Sequence, residues 1–143
     1  MKNILLALQL DDDEDLLLIK AQELARAFGA KVWLLHIAAP DPDFVGYEVG
    51  PQYIRDSRAD ELKQEHRLLQ EYAEALTQQG IAAEGLLIQG TTEEMILTET
   101  DKLGIDLIIM GHHDHGLMYK LFVGSVSTQI INKSDIPVMI VPL

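Results

Sequence analysis

Three of the chain's five histidines fall within one stretch, GHHDHGLMYKLFVGS, at residues 111–125. Gly111, Gly116 and Gly124 frame it, and the apolar run IDLIIM precedes it. Residues of these types could cradle a phosphate on backbone amides, hold a metal ion, or support nucleophilic attack from Ser125. Each of these chemistries demands its own spacing.

A Walker-type phosphate loop needs two glycines five apart, followed by Lys and then Ser or Thr. Gly111 and Gly116 have the separation, but Leu117 and Met118 follow them. The lysine that would reach the outer phosphates is missing. No G-x-G-x-x-G follows the first apolar run, which removes the dinucleotide fingerprint as well. His112, His113, Asp114 and His115 are each competent zinc ligands. Side chains of adjacent loop residues point apart and do not readily converge on one ion. The preferred reading is therefore a set of polar residues near a cleft mouth, with no metal site assigned. Ser125 and Ser127 lack a surrounding G-x-S-x-G elbow, so no catalytic residue is assigned either.

A second candidate is the run Asp11-Asp12-Asp13-Glu14-Asp15, which invites comparison with the magnesium-holding acids of a receiver domain. That chemistry also requires a phosphoacceptor Asp ending the third strand and a Lys ending the fifth. Here those runs end Leu87-Ile88-Gln89-Gly90 and Val141-Pro142-Leu143. The acids are then best explained as neighbours of a positive helix end.

The elements that must position these residues follow from hydrophobic patterning. Apolar runs recur at Ile4–Leu8, Val32–Ile37, Ala82–Ile88, Ile105–Met110 and Val138–Val141. All but the third are nearly continuous, as strands buried on both faces of a parallel sheet must be. Between them lie helical stripes. Residues 13–28 align Leu17, Ala21, Leu24, Ala25 and Phe28 ahead of Gly29, and residues 58–79 align Leu62, Leu69, Ala73 and Leu76 ahead of Gly80. Thr91 is a candidate N-cap for a third helix ending at Gly104, with Glu93 and Glu94 in its first turn. A last helix is expected from about Ser125 to Lys133, before the turn Ser134-Asp135-Ile136-Pro137. Met95, Met110, Met118 and Met139 read as core fillers. Ala38 to Ser57, with three prolines and two glycines, is the one long irregular stretch.

Alternation of strand and helix points to a single α/β domain over residues 1–143. In such sheets ligands bind beyond the carboxyl ends of strands, here at loops beginning at Gln9, Ile37, Gly90 and Gly111. Composition narrows the partners. Acids outnumber Lys and Arg by 23 to 11, a formal charge of -12, and the basic residues are scattered along the chain. Nucleic acid and anionic membrane surfaces, which need a cationic patch, are disfavoured. The absence of cysteine removes disulfides and thiol chemistry and fits a cytoplasmic setting. MKNILLALQLDDDED reads as a mature strand rather than a signal peptide.

Gly111, then thirteen residues later Gly124-Ser125-Val126, together with this strand and helix pattern, resembles the universal stress protein family over the full chain. Nucleotide-binding members carry G-x2-G-x9-G-[ST] after the fourth strand, where amides and a hydroxyl hold ATP phosphates and ribose. Leu34-Leu35-His36-Ile37 is similar to the family's second strand, and VMIVPL to its last. The resemblance implies a doubly wound five-stranded parallel sheet in the order 3-2-1-4-5 with helices on both faces. It implies a cytoplasmic homodimer paired through the C-terminal edge strand, and an adenine-nucleotide site for ATP or AMP with a divalent cation. It implies Gln9, Ile37, Gly111, Gly116, Gly124, Ser125 and Val126 as binding residues, with Ile37 against adenine. No robust metabolic activity is implied, slow ATP hydrolysis being left open.

Two departures qualify the match. The motif's second glycine falls on Asp114, a carboxylate facing phosphate, with Gly116 as its stand-in. Gln9 replaces the Asp that ends the first strand in nucleotide-binding members. GHH and IVPL resemble the branch that does not bind ATP, which leaves a second reading: an interaction protein with a vestigial site.

Overall fold

The apolar runs become strands, and the computed structural model, which describes residues 1–40, 52–112 and 125–143, orders them around a central sheet. In chain order the elements are β1 (Asn3–Ala7), α1 (Asp15–Phe28), β2 (Lys31–Ala38), α2 (Gln52–Gln78) and β3 (Ala83–Gln89). Then come α3 (Thr92–Leu103), β4 (Leu107–His112), α4 (Ser125–Lys133) and β5 (Val138–Pro142). The five strands are parallel in the order β3-β2-β1-β4-β5, the order that the family resemblance implies.

Alternation along each strand divides the core into two layers. Ile4, Leu6, Val32, Leu34, Leu107 and Ile109 face one way, onto Leu17, Ala21 and Ala25 of α1 and Leu69, Ala73 and Leu76 of α2. Leu5, Leu35, Ile108 and Met110 face the other way, onto Ile96 of α3 and Ile130 of α4. Each fully buried Leu or Ile contributes roughly 1.5–3 kcal/mol relative to exposure. That gain holds helices on both faces and makes the sheet doubly wound. Among the described residues, no helix is long and apolar enough to cross a membrane.

Helix ends follow local chemistry. Gly29 and Gly104 take left-handed φ values of 65° and 62°, closing α1 and α3 where a side chain would be strained. Thr91 has the extended backbone of an N-cap, but its side chain makes no cap hydrogen bond, contrary to expectation. The Ser134 hydroxyl accepts the Ile136 N–H and shapes the turn into β5.

Three further expectations need correction. Phe28 does not belong to the buried stripe: it is 56% exposed, because as the last residue of α1 it stands where the chain turns away at Gly29. The irregular stretch 38–57 is shorter at both ends, since Ala38 closes β2 and α2 begins at Gln52; residues 41–51 lie outside the described residues. Met110 is buried and Met139 packs on the core, whereas Met95 is half-buried with its side chain over Gly90, and Met118 lies outside the described residues.

Candidate functional site

The strand order reverses between β1 and β4, which opens a crevice at their carboxyl ends. Two registers meet there. Ala7 pairs with Leu35, and Leu6 with Ile109. Continuing both past β1 places Gln9 level with Ile37 on one side and with His112 on the other. The continued registers thus bring residues 28 and 103 positions away in sequence to the same end of the sheet as Gln9.

The loop after β1 is organised by a residue that sequence reading did not single out. Glu14, at the N-cap position of α1, is only 4% exposed. Its side chain makes no cap hydrogen bond to α1. The carboxylate instead turns back and accepts the backbone N–H groups of Gln9 at 2.7 Å, Leu10, and Asp11 at 3.2 Å. Three successive amides can point inward because Leu10 adopts a left-handed φ of 63°, the one non-glycine to do so among the described residues. Such a conformation costs a non-glycine residue about 1–2 kcal/mol, which the charge-assisted bonds offset.

This is an anion-binding nest, and its anion is the protein's own carboxylate. Burial pushes the Glu14 carboxyl above its usual range, opposed by the Gln9 N–H and reinforced by the negative charge of Asp11. The acidic run was therefore read too uniformly. Asp15 occupies the first turn of α1, while Glu14 shapes the preceding loop. In sequence nothing separates Glu14 from its four acidic neighbours.

His36 ties three elements together at the same end. Its Nδ1 lies 2.8 Å from the Leu8 carbonyl oxygen, which can only accept, so Nδ1 carries a proton. Nε2 lies 3.5 Å from Glu65 Oε2 on α2, a buried oxygen with no hydrogen-bond partner among the described residues. The end of β1, β2 and α2 are thereby fixed relative to one another. Ile37, the next residue, points to the opposite face and packs against the second core layer.

Gly111, the residue before the last of β4, pairs with Val141. A Cβ there would lie 2.5 Å from Leu143 Cδ1 and 3.3 Å from Leu17 Cδ1. The group that approaches this glycine is thus a side chain of the same chain, anchored by the Leu143 N–H donating to the His112 carbonyl at 2.8 Å. Sequence reading had no signal for this contact, because β4 and β5 meet only in the folded sheet.

Ser125 is the first residue of α4, and Val126 is half-buried against the second core layer. Gly116 and Gly124 lie outside the described residues, as do His113, Asp114, His115 and Lys120. The segments 8–14, 36–40, 111–112 and 125–132 contain no Lys or Arg. What they offer a ligand is backbone amides, the Gln9 side chain and apolar surface at Ile37.

The family model described as "Universal stress protein family" matches residues 1–142. The Thermus aquaticus protein named "Universal stress protein in QAH/OAS sulfhydrylase 3'region" is 32% identical over 143 residues, covering 98% of each chain. Among solved structures, universal stress protein UspA from Lactobacillus plantarum superposes with a TM-score of 0.80 at 15% identity, covering 98% of this chain and 97% of that one. A universal stress protein family protein from Arabidopsis thaliana with AMP bound superposes at 0.64 and 18% identity, covering 99% and 91%.

Proposed function

The chain belongs to the universal stress protein family, and from that premise we propose that it is a cytoplasmic homodimeric regulatory domain that takes an adenine nucleotide at the carboxyl ends of β1, β2 and β4. The observation that carries this reading is the pairing of β1 with both β2 and β4, whose registers, continued past Ala7, lead to Gln9, Ile37 and His112, with Gly111 beside them. In this arrangement the Ile37 backbone meets the base and the Gln9 amide bonds its edge. Gly111, Gly124 and Ser125 are the residues assigned to ribose and phosphate, with Val126 following in α4 and Gly116 as stand-in for the motif glycine that Asp114 replaces. The AMP of the Arabidopsis thaliana neighbour supplies the ligand class.

Electrostatics set which nucleotide fits. With no cation in the flanking segments and acids at Asp11 and Asp114, a triphosphate meets repulsion unless a divalent ion accompanies it. AMP carries less charge and needs less compensation. The domain's role is to report occupancy to a partner rather than to turn over substrate. Nucleotide co-purifying with the wild-type protein, and absent from Gly124→Glu, would support the site. Equal retention by both proteins would refute it.

A second reading has its own observations. Glu14 already fills the nest after β1, and Leu143 already packs on Gly111. Both describe a site adapted to stand empty, in a protein acting through its surfaces alone. Calorimetry with AMP and ATP, with and without magnesium or manganese, separates the two. Absence of heat at millimolar ligand favours the vestigial site.

The dimer rests on β5. Val138-Met139-Ile140-Val141 carries no charge and pairs with β4 on one side only among the described residues. A bare apolar edge is an aggregation hazard, and pairing with a twofold mate removes it.

A further inference from the structure

The opposite edge of the sheet has the reverse character. Lys63, His66 and Arg67 of α2 gather with Leu62, Gln70 and Leu87 around an open groove of about 620 Å³ beside β3. Lys63 and Arg67, four residues apart in sequence, share one face of α2 in a chain of formal charge -12. Neither Lys63 nor Arg67 has a carboxylate within ion-pair distance among the described residues.

The backbone beside them has no sixth strand among the described residues. Val32 N–H donates to the Ala82 carbonyl, and Gly90 N–H donates to the Ala38 carbonyl. Even-numbered positions of β3 therefore bond to β2, and Ala83, Gly85 and Leu87 turn their N–H and C=O groups outward. Gln70 Nε2 donates to the Gly85 carbonyl at 3.3 Å. At Gly85 the helix presses close, with the place of a Cβ 3.1 Å from the Leu69 carbonyl oxygen. One strand position further on, at Leu87, the outward backbone groups have no partner among the described residues.

We propose that this edge and the adjoining face of α2 form a docking groove for an extended acidic segment of a partner protein, which adds as a sixth strand beside β3. Spacing supports the match. Lys63 and Arg67 are four residues apart on a helix, about 6 Å along its axis. Alternate residues of a strand are separated by about 6.6–6.8 Å. Carboxylates at alternate positions of the incoming segment therefore come level with both cations, while Leu62 and Leu87 floor the groove. A second copy of this chain is the wrong occupant, because pairing through β3 would bring like cations together. Main-chain bonds supply affinity and the charges supply selectivity, as in strand addition generally.

The test uses a short fluorescein-labelled peptide alternating Glu and Val, titrated with the full chain in fluorescence anisotropy. Saturable binding is expected, weakened at least tenfold by the double variant Lys63→Glu/Arg67→Glu and several-fold by Lys63→Gln/Arg67→Gln. N-methylation of alternate peptide amides should abolish it. Both positions are solvent-exposed, and thermal melts establish that the variants fold. Failure of the wild type to bind at millimolar peptide overturns the proposal. So does affinity unchanged by charge reversal, or equal competition by a single-stranded oligonucleotide, which would mark a nonspecific polyanion surface. The groove lies along the β3 edge and the nucleotide site at the carboxyl ends of β1, β2 and β4, so either result stands apart from that reading.

Discussion

Replacing Glu14 with Ala removes the acceptor that three consecutive amides share. A hydrogen bond to a charged group is worth about 1.5–3 kcal/mol, and a buried donor left without a partner costs about 1–3 kcal/mol. Gln9 and Asp11 are exposed, so water can replace the carboxylate at two of the three amides. The net cost should then be near that of the Leu10 bond alone, about 1.5–3 kcal/mol. At roughly 2.1 cal/mol/K per residue, unfolding 143 residues carries an entropy of about 0.3 kcal/mol/K. A Tm lower by about 5–10 °C is expected, read by calorimetry. The pH dependence provides a sharper check with Glu14→Gln. Burial raises the folded-state pKa of Glu14 above its ordinary 4.5. The stability that follows from tighter proton binding is fully present below 4.5 and is lost as pH rises through the folded value. The stability margin of wild type over Glu14→Gln, from urea melts, should therefore shrink as pH rises above about 4.5. A margin that grows over that interval would mean the amides outweigh burial and the carboxyl is depressed. A Tm loss below about 2 °C in Glu14→Ala would mean the loop does not depend on this residue at all.

Two further predictions follow from packing. Gly111→Ala should destabilise by about 1–3 kcal/mol through overpacking against Leu143. The cost should fall in the Gly111→Ala/Leu143→Ala double variant, and strictly additive urea-melt energies would refute the contact. On β5, the Leu143 N–H and the Pro137 carbonyl both bond to β4, so odd positions face inward and the Ile140 N–H faces out. Ile140→Pro should convert the proposed dimer to monomer in ultracentrifugation while leaving the circular dichroism spectrum intact. An unchanged sedimentation coefficient would exclude pairing through this edge.

The fold was legible because burial on both sides of a parallel sheet writes itself into consecutive residues. Ile4, Leu5 and Leu6 are each fully buried, so no periodicity had to be decoded. Helix stripes were legible wherever the helix lies over the sheet, at Leu17, Ala21 and Ala25, and failed at Phe28, where it does not. The start of α2 was obscured because Pro51 and the glycines before it mask a helix that gains its stability farther along, at Leu69, Ala73 and Leu76. The line Gln9–Ile37–His112 could be approached from sequence only through strand ends, since it depends on register. Glu14 and Leu143 were illegible for a different reason. Each acts through a backbone or tertiary geometry that leaves its residue type unremarkable.

The two edges of the sheet show how composition and placement decide partnership together. β5 is apolar and uncharged, so its bare backbone favours an identical strand, for which no charge must be overcome. The β3 edge offers the same backbone donors and acceptors, but α2 sets beside it two cations with no ion-pair partner among the described residues. Self-pairing there is opposed by like charge, and the sequence that gains from the edge is one rich in carboxylates. In a chain of formal charge -12, the two cations beside β3 give an acidic partner a place to dock. On the two proposals together, a second copy of the chain takes the β5 edge while a different, acidic partner takes the β3 edge. Conformational coupling between the sites would run through β1, β2 and α2, the elements that His36 joins to Glu65 and to the Leu8 carbonyl beside Gln9.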